Sequence, residues 1–378
     1  MLDLCRRRKV LVIIIFFCLF GNLIYWRPSI LNRFLQHEPG ESQSLPVPGE
    51  SQSVPVPGES QSVPVKMKNT TVVLVWYWAF GIKQHWQGDV CKDRYGIPNC
   101  ILSDDRSLFP QADFIVFHNR ELIERKERLP EHLPRPPNQA WVWFSRESPA
   151  YNGDTGFLAG KFNYTLFYRR DADFFNPFGF LVPRNSTGMT LDNLIPKEKS
   201  YLACWVVGNY QPYYERTKLY LKLKQVIPIE WWGAAAHRGL HGDLLLPTMS
   251  QCYFYLSFEN SIFRDYISEK VWRNAFQSGA VPVVLGPPRK NYEEMLPEGS
   301  FIHVNDFKNV AELGAFLKKL AGDKERYASY FKWKLNYTVQ TFMGNEHWLV
   351  EPFCRICAKQ STLQRPKVYK DLHGWQWT

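Results

Sequence analysis

Hydrophobic and polar positions divide the chain into three stretches. Arg6, Arg7, Arg8 and Lys9 precede an apolar run, Val10–Trp26, broken only by Gly21 and Asn22. Its 17 residues sit at the short end of the ~17–25 that span a bilayer as a helix. The four cations favour the cytoplasmic side, and Tyr25 and Trp26 fall where an interfacial aromatic belt forms. Arg27-Pro28-Ser29 offers no small-residue cleavage site, so the run reads as an uncleaved anchor. Next come three copies of P-G-E-S-Q-S-[LV]-P-V, residues 39–65. Their Pro and Gly exclude a continuous helix and starve a strand of donors, which predicts an extended, disordered stem.

The third stretch alternates short apolar runs with amphipathic ones. Thr70–Trp78, Asp113–His118 and Gln139–Phe144 read as buried strands of one half. A second half starts with strand Tyr201–Val207, then helix Tyr214–Gln225 and strands Ile227–Trp232 and Tyr253–Phe258. Helix Glu269–Gln277, with Ser268 as its N-cap, leads to strands Val281–Leu285 and Phe301–Val304 and an amphipathic helix, Asn309–Leu320. Such alternation predicts an α/β protein with parallel, doubly wound sheets. The expected divisions are a tail 1–9, anchor 10–26, stem 27–67, domains 68–190 and 191–350, and a C-terminal tail 351–378.

Composition narrows the class. A chain of 378 residues with 45% hydrophobic positions can bury a sizeable core. Residues 1–65 carry 6 basic and 5 acidic side chains, so the body holds a net +9 of the total +10. The excess is dispersed, which favours anionic partners and does not predict nucleic acid binding. Fourteen Trp suit both core filling and stacking on sugar rings. Six cysteines beyond the anchor, Cys91, Cys100, Cys204, Cys252, Cys354 and Cys357, suggest three disulfides in an oxidising compartment. They allow fifteen pairings, and Cys354-x-x-Cys357 could also be half a zinc site or a redox pair. Sequons at Asn69, Asn163, Asn185 and Asn336 agree with secretory routing and N-glycosylation.

Candidate chemistry gathers where strands end. Glu259, Asn260 and Ser261 leave one strand, and Asp265, Tyr266, Ser268, Glu269 and Lys270 lead into a helix. A cation in a first helical turn opposes the macrodipole and makes sense beside an anion. Val207-Gly208-Asn209 ends the preceding strand, and Arg216 could fork onto a diphosphate. Glu147, on the exit loop of Gln139–Phe144, is a carboxylate across a cleft and has the right type for a general base. G-x-G-x-x-G, P-loop and G-x-S-x-G patterns do not occur. Asp171-Ala172-Asp173, flanked by Arg169 and Arg170, reads as structural, and His237-x-x-x-His241 as loop.

FYLSFENSIFRDYISEKVWRNAFQSGAVPVVLG, within 253–286, resembles the signature of the animal α1,3-fucosyltransferases. WVWFSRESP, NYTLFYRRDAD and FIHVNDF are similar to other blocks of that family, in order, over about residues 70–360. The resemblance implies a GT-B fold, two Rossmann-like domains facing a cleft, in a single-pass type II Golgi membrane protein with a lumenal head. It implies inverting transfer of fucose from GDP-β-L-fucose to the 3-hydroxyl of GlcNAc in N-acetyllactosamine-type glycans, giving Lewis x-type products. On it, Glu147 is the base, and Arg216 and Lys270 neutralise the leaving diphosphate. Glu269 would hold donor hydroxyls, and Val207, Gly208, Asn209, Tyr255, Glu259, Asn260 and Tyr266 would line the donor site. No metal is required, although Mn2+ could stimulate. The implied disulfides are Cys91–Cys354, Cys100–Cys357 and Cys204–Cys252, and Arg120 implies α1,3 rather than α1,4 transfer. Partners are GDP-fucose, N-acetyllactosamine-bearing glycoproteins or glycolipids and the Golgi membrane, with room for a homodimer.

Departures from the family pattern cluster on the acceptor side. Trp78-Ala79-Phe80-Gly81 stands for W-P-F-G, Ile82 replaces a polar residue, and Asn119 replaces a His. Ala150, Tyr151 and Asn152 replace [ST]-H-T. Alternative acceptors are a protein hydroxyl or the N-glycan core. A different class is a membrane-tethered glycan-binding protein without turnover.

Overall fold

The computed structural model describes residues 69–378 except 87, 186–189, 191–192, 194–198, 241, 342–349 and 365. All belong to one compact unit, residues 63–378. The anchor and stem lie outside the described residues. Among those described, no helix is long and apolar enough to cross a membrane.

Two parallel sheets carry the fold. The first contains β1 (Thr71–Val75), β2 (Cys100–Ser103), β3 (Phe114–His118), β4 (Ala140–Phe144), β5 (Tyr164–Phe167) and β6 (Phe174–Phe175), in the order β2-β1-β3-β4-β5-β6. β7 (Gly179–Pro183) leaves it. The second contains β8 (Tyr201–Val206), β9 (Ile229–Trp232), β10 (Cys252–Phe258), β11 (Val281–Leu285) and β12 (Ile302–His303), ordered β12-β11-β10-β8-β9. β13 (Tyr337–Thr341) pairs antiparallel with β7, a ribbon that joins the end of the first half to the end of the second.

Both faces of the first sheet are buried, which is why its strands read as continuous apolar runs. Val72 and Leu74 pack with Phe117 and Trp143 on one face, while Val73 and Val75 pack with Phe114 and Val142 on the other. The first of these clusters continues into Tyr266, Ile267, Val271 and Trp272, so the two halves share core. The second takes in Val350, Phe353 and Ile356 of helix Val350–Lys359, which covers β1 and β2. Disulfides Cys91–Cys354 and Cys100–Cys357 fasten that helix to the first half, and Cys204–Cys252 joins β8 to β10.

Helix 270–277 is wound as a π-helix, and Ser268 does not cap it: its hydroxyl donates to Glu259 Oε2 at 2.7 Å. Asn309 does cap helix Val310–Gly322, accepting from Glu312 N at 2.9 Å. Asp173 accepts from Thr165 N and pairs with Lys367, and Asp171 pairs with Arg169, structural uses of both carboxylates.

Candidate active site

In a doubly wound sheet, ligands bind beyond the carboxyl ends of strands where the strand order reverses. The second sheet reverses between β8 and β10, whose exits carry Val207-Gly208-Asn209 and Glu259-Asn260-Ser261. The first reverses between β1 and β3, whose exits, with that of β4, carry Trp78–Ile82, Asn119-Arg120 and Glu147. A cleft of about 530 Å³ brings Ala150 and Tyr151 of the first half against Tyr214, Glu259, Asn260 and Ser261 of the second.

On the second half, Val207 N extends the ladder by one bond, donating to Trp232 O at 3.0 Å. Gly233 makes this possible: at φ +123° it lies so close that a Cβ would stand 1.8 Å from Val207 O. A Cβ on Gly208 would meet nothing within 4 Å, so the backbone there faces open space. Arg216, from helix Glu215–Leu223, is only 4% exposed. Its guanidinium donates to Asn209 O and lies over the Tyr214 ring. Among the described residues its Nε has no partner, and no carboxylate stands within ion-pairing distance. Burial holds its pKa below the ordinary value.

Lys270 is different. Its Nζ reaches Glu259 Oε2 and Glu269 Oε1, each at 3.0 Å, and donates to Ser268 Oγ at 2.7 Å. Burial opposes its charge, but the two carboxylates outweigh it and raise its pKa. Glu259, wholly buried, also accepts from Ser268 N at 2.8 Å, and burial raises its pKa despite Lys270. Glu269 is only half-buried, and Lys270 holds it below the ordinary range. Gly286 flanks the cluster, where a Cβ would crowd Tyr292 and Glu259. Tyr266 is buried against Tyr168 and Phe178. Tyr255 lies below the cleft surface, fully buried, its phenol accepting from Asn274 Nδ2 at 2.9 Å and pushed up to about 12 by burial.

On the first half, Glu147 is half-buried. Burial first, then the Glu269 charge, raises its pKa, while Lys270, Arg120 and His118 pull it down. The carboxyl therefore senses charges from both halves. Arg120 pairs with Glu124 at 2.8 Å and lies over the Phe80 ring. Phe80 is 44% exposed and Ile82 42%, an apolar lip beside Arg120.

Two contacts cross the cleft that sequence reasoning missed. Ser148 and Ser261 hydroxyls meet at 2.9 Å, and Tyr151 meets the Tyr214 hydroxyl at 2.5 Å while accepting from Asn209 Nδ2 at 3.1 Å. The tandem Tyr213-Tyr214 just before Arg216 was the available signal for the second; Ser261 offered none. Of the four sequon asparagines, Asn69, Asn185 and Asn336 are exposed. The Asn163 amide is held by Trp141 N, Arg135 and Lys367 O. Among the described residues no cluster of His, Cys, Asp and Glu could hold a metal ion.

Two doubly wound sheets thus turn their carboxyl ends toward one cleft, with a buried cation that has no ion-paired carboxylate among the described residues on one side and an elevated carboxyl on the other. That defines a class: α/β proteins built to move a group between an anionic donor and a proton-bearing acceptor. Residues 68–179 match the family model "Fucosyltransferase, N-terminal", and 196–375 match "Glycosyltransferase family 10 (fucosyltransferase) C-term". The chain belongs to the glycosyltransferase family 10 fucosyltransferases. It is 45% identical over 307 residues to alpha-(1,3)-fucosyltransferase 7 of Bos taurus, covering 81% of this chain and 86% of that one. It is 40% identical over 309 residues to 4-galactosyl-N-acetylglucosaminide 3-alpha-L-fucosyltransferase 9 of Homo sapiens, covering 82% and 83%. A crystal structure of an alpha1,3-fucosyltransferase with GDP-fucose aligns with TM-score 0.49 and 19% identity, covering 82% of this chain and 95% of that chain.

Proposed function

We propose that this fucosyltransferase moves fucose, with inversion, from GDP-β-L-fucose to the 3-hydroxyl of GlcNAc in N-acetyllactosamine-type glycans. The observation that carries the donor reading is Arg216, a buried guanidinium whose Nε has no partner and which has no ion-paired carboxylate among the described residues, beside open backbone at Gly208. A cation left unpaired at such a cost suits a ligand that supplies the anion. Glu147 takes the proton of the acceptor hydroxyl as its oxygen attacks the anomeric carbon. The bond from that carbon to the β-phosphate oxygen breaks on the opposite face, and GDP leaves with the negative charge. Arg216 and Lys270 stabilise that charge, and Glu269 holds donor hydroxyls. The raised pKa of Glu147 brings it nearer the range a base needs. Fixed cations serve without a metal, and Mn2+ acts at most as a stimulant.

The names of the relatives support the acceptor, and Arg120 supports α1,3 linkage. The two sheets support a GT-B arrangement, with 68–190 on the acceptor side and 191–350 binding the donor. The cationic and apolar residues 6–26 and the three disulfides support a single-pass Golgi protein with a lumenal head.

The test incubates the purified full chain with GDP-fucose and a panel: N-acetyllactosamine, its sialylated form, a type 1 chain, an N-glycan core and a folded serine-bearing domain. Mass spectrometry reads fucose addition. Addition to N-acetyllactosamine at the GlcNAc 3-hydroxyl is expected. Addition only elsewhere overturns the acceptor, and GDP binding without any addition overturns the enzyme reading.

A further inference from the structure

Glu147 sits on a loop, and loops hold catalytic groups in place only when something fixes them. Its backbone is gripped on both sides. Glu147 N donates to Ser145 Oγ at 3.1 Å, and Glu147 O accepts from Asn152 Nδ2 at 3.2 Å. Asn152 is itself fixed: its Oδ1 accepts from Ser145 Oγ at 2.6 Å, and Asn119 Nδ2 donates to its carbonyl at 2.9 Å. Trp143 Nε1, on β4, donates to Asn119 Oδ1 at 2.9 Å. One further partner comes from more than two hundred residues away. Asn152 Nδ2 also donates to Gln376 Oε1 at 2.7 Å, and Gln376 Nε2 donates to Thr155 Oγ1 at 2.6 Å.

Gln376 lies on the last helix, Leu372–Trp377, and is 2% exposed; Asn152 is 1% exposed and Thr155 fully buried. The helix is secured independently. Arg169 donates to Trp375 O and stacks on its ring at 4.6 Å, and Trp377 meets Phe263 of the donor-side loop at 5.3 Å between centroids. Gln376 therefore holds the loop from a rigid element that also touches the opposite side of the cleft.

We propose that Gln376 is a positioning residue for the general base: through Asn152 it sets where the Glu147 carboxylate stands. This rests on Glu147 being the base. A fully satisfied buried network fixes one geometry, and removing a member leaves partners unpaired and the loop free to shift. A misplacement of ~1 Å in a reacting group can cost about 100-fold in rate. Gln376 does not itself line the cleft, so its removal lowers turnover and leaves donor binding alone.

The experiment compares Gln376→Met, Thr155→Val and Glu147→Gln in the full chain. It measures kcat, donor KM, GDP affinity and the acid limb of the kcat–pH profile. Gln376→Met keeps side-chain length and removes both hydrogen bonds. It is expected to lower kcat at least tenfold with donor KM and GDP affinity within twofold, and to move the acid limb down toward the ordinary Glu value as the loop loosens and Glu147 hydrates. Thr155→Val, which removes the outer anchor together with a 3.3 Å contact to His373 Nδ1, gives the same split at smaller size and serves where Gln376→Met does not fold. Combined with Glu147→Gln, Gln376→Met adds no further loss. Unchanged kcat in the Gln376 and Thr155 variants overturns the proposal. So does a loss shared equally with GDP affinity, or an unmoved pH limb, because both mark a merely structural role. Near-normal turnover in Glu147→Gln instead overturns the base itself, whatever Gln376 does.

Discussion

Replacing Arg216 by Met separates a binding role from a structural one. Met preserves most of the aliphatic stem, so packing changes little, and only the guanidinium goes. In the free protein that group is buried, donates to Asn209 O and stacks on Tyr214, with no carboxylate in ion-pairing reach among the described residues. Its desolvation costs several kcal/mol. A hydrogen bond from a charged group returns about 1.5–3 kcal/mol and the ring contact about 0.5–2 kcal/mol. The two sides nearly cancel, so Arg216→Met is expected to leave thermal stability within a few degrees of the parent or above it. GDP binding behaves otherwise. Losing charge-assisted bonds to a phosphate costs about 1.5–3 kcal/mol, or roughly 10- to 150-fold in dissociation constant. Calorimetric titration with GDP and with guanosine reads both ends of the ligand. GDP affinity is expected to fall by that factor while guanosine affinity holds. Equal losses for both ligands, or unchanged GDP affinity with a lowered melting temperature, would refute the assignment.

Four further outcomes follow. Because Glu147 has a raised pKa, kcat should fall as pH drops through a limb above the ordinary Glu value of 4.5. Its charged form costs stability once pH rises through that pKa, so Glu147→Gln should melt higher than the parent at neutral pH, the gap closing in acid. Lys270→Met strands the buried Glu259 carboxylate at a cost of about 3–5 kcal/mol, and adding Glu259→Gln should recover most of the lost melting temperature. Cys91–Cys354 and Cys100–Cys357 close nearly the same loop, with separations of 263 and 257 residues. With one bridge intact the other closes a loop of only about a dozen residues, so replacing either pair by Ala should cost about 3 kcal/mol in denaturant melts, and replacing both should cost more than the two single losses together because the last bridge closes a far longer loop; a double loss no larger than that sum would contradict this.

Much of the scaffold was legible because its strands are buried on both faces. β3, β4, β10 and β11 show as apolar runs, and their exits mark the ligand side without further information. β2 and β5 were not anticipated, and β7 and β13 escaped because their pairing joins segments over 150 positions apart. The residues around Lys270 were correctly gathered, but not their bonding. Ser268 has the right type for an N-cap, yet Glu259 returns from the previous strand to claim its hydroxyl, a tertiary contact that local spacing does not encode. Asn119, Tyr151 and Asn152 stood out as departures, whereas their partners Tyr214 and Gln376 did not. Their role depends on which distant elements meet, and no period or motif records that.

The covering helix Val350–Lys359 has a consequence for how the protein is made. A chain emerges from its N-terminus, and domains generally fold in that order. Here the first sheet can pair its strands early, yet β1 and β2 stay bare on one side until residues 350–359 arrive. Cys91 and Cys100 must wait unpaired for partners some 260 residues behind them, while Cys204 and Cys252 can join first. Assembly thus runs out of order: the middle of the molecule matures before its beginning. A chain stopped short of residue 350 would present an open apolar face and two free thiols, the marks by which quality control recognises unfinished protein.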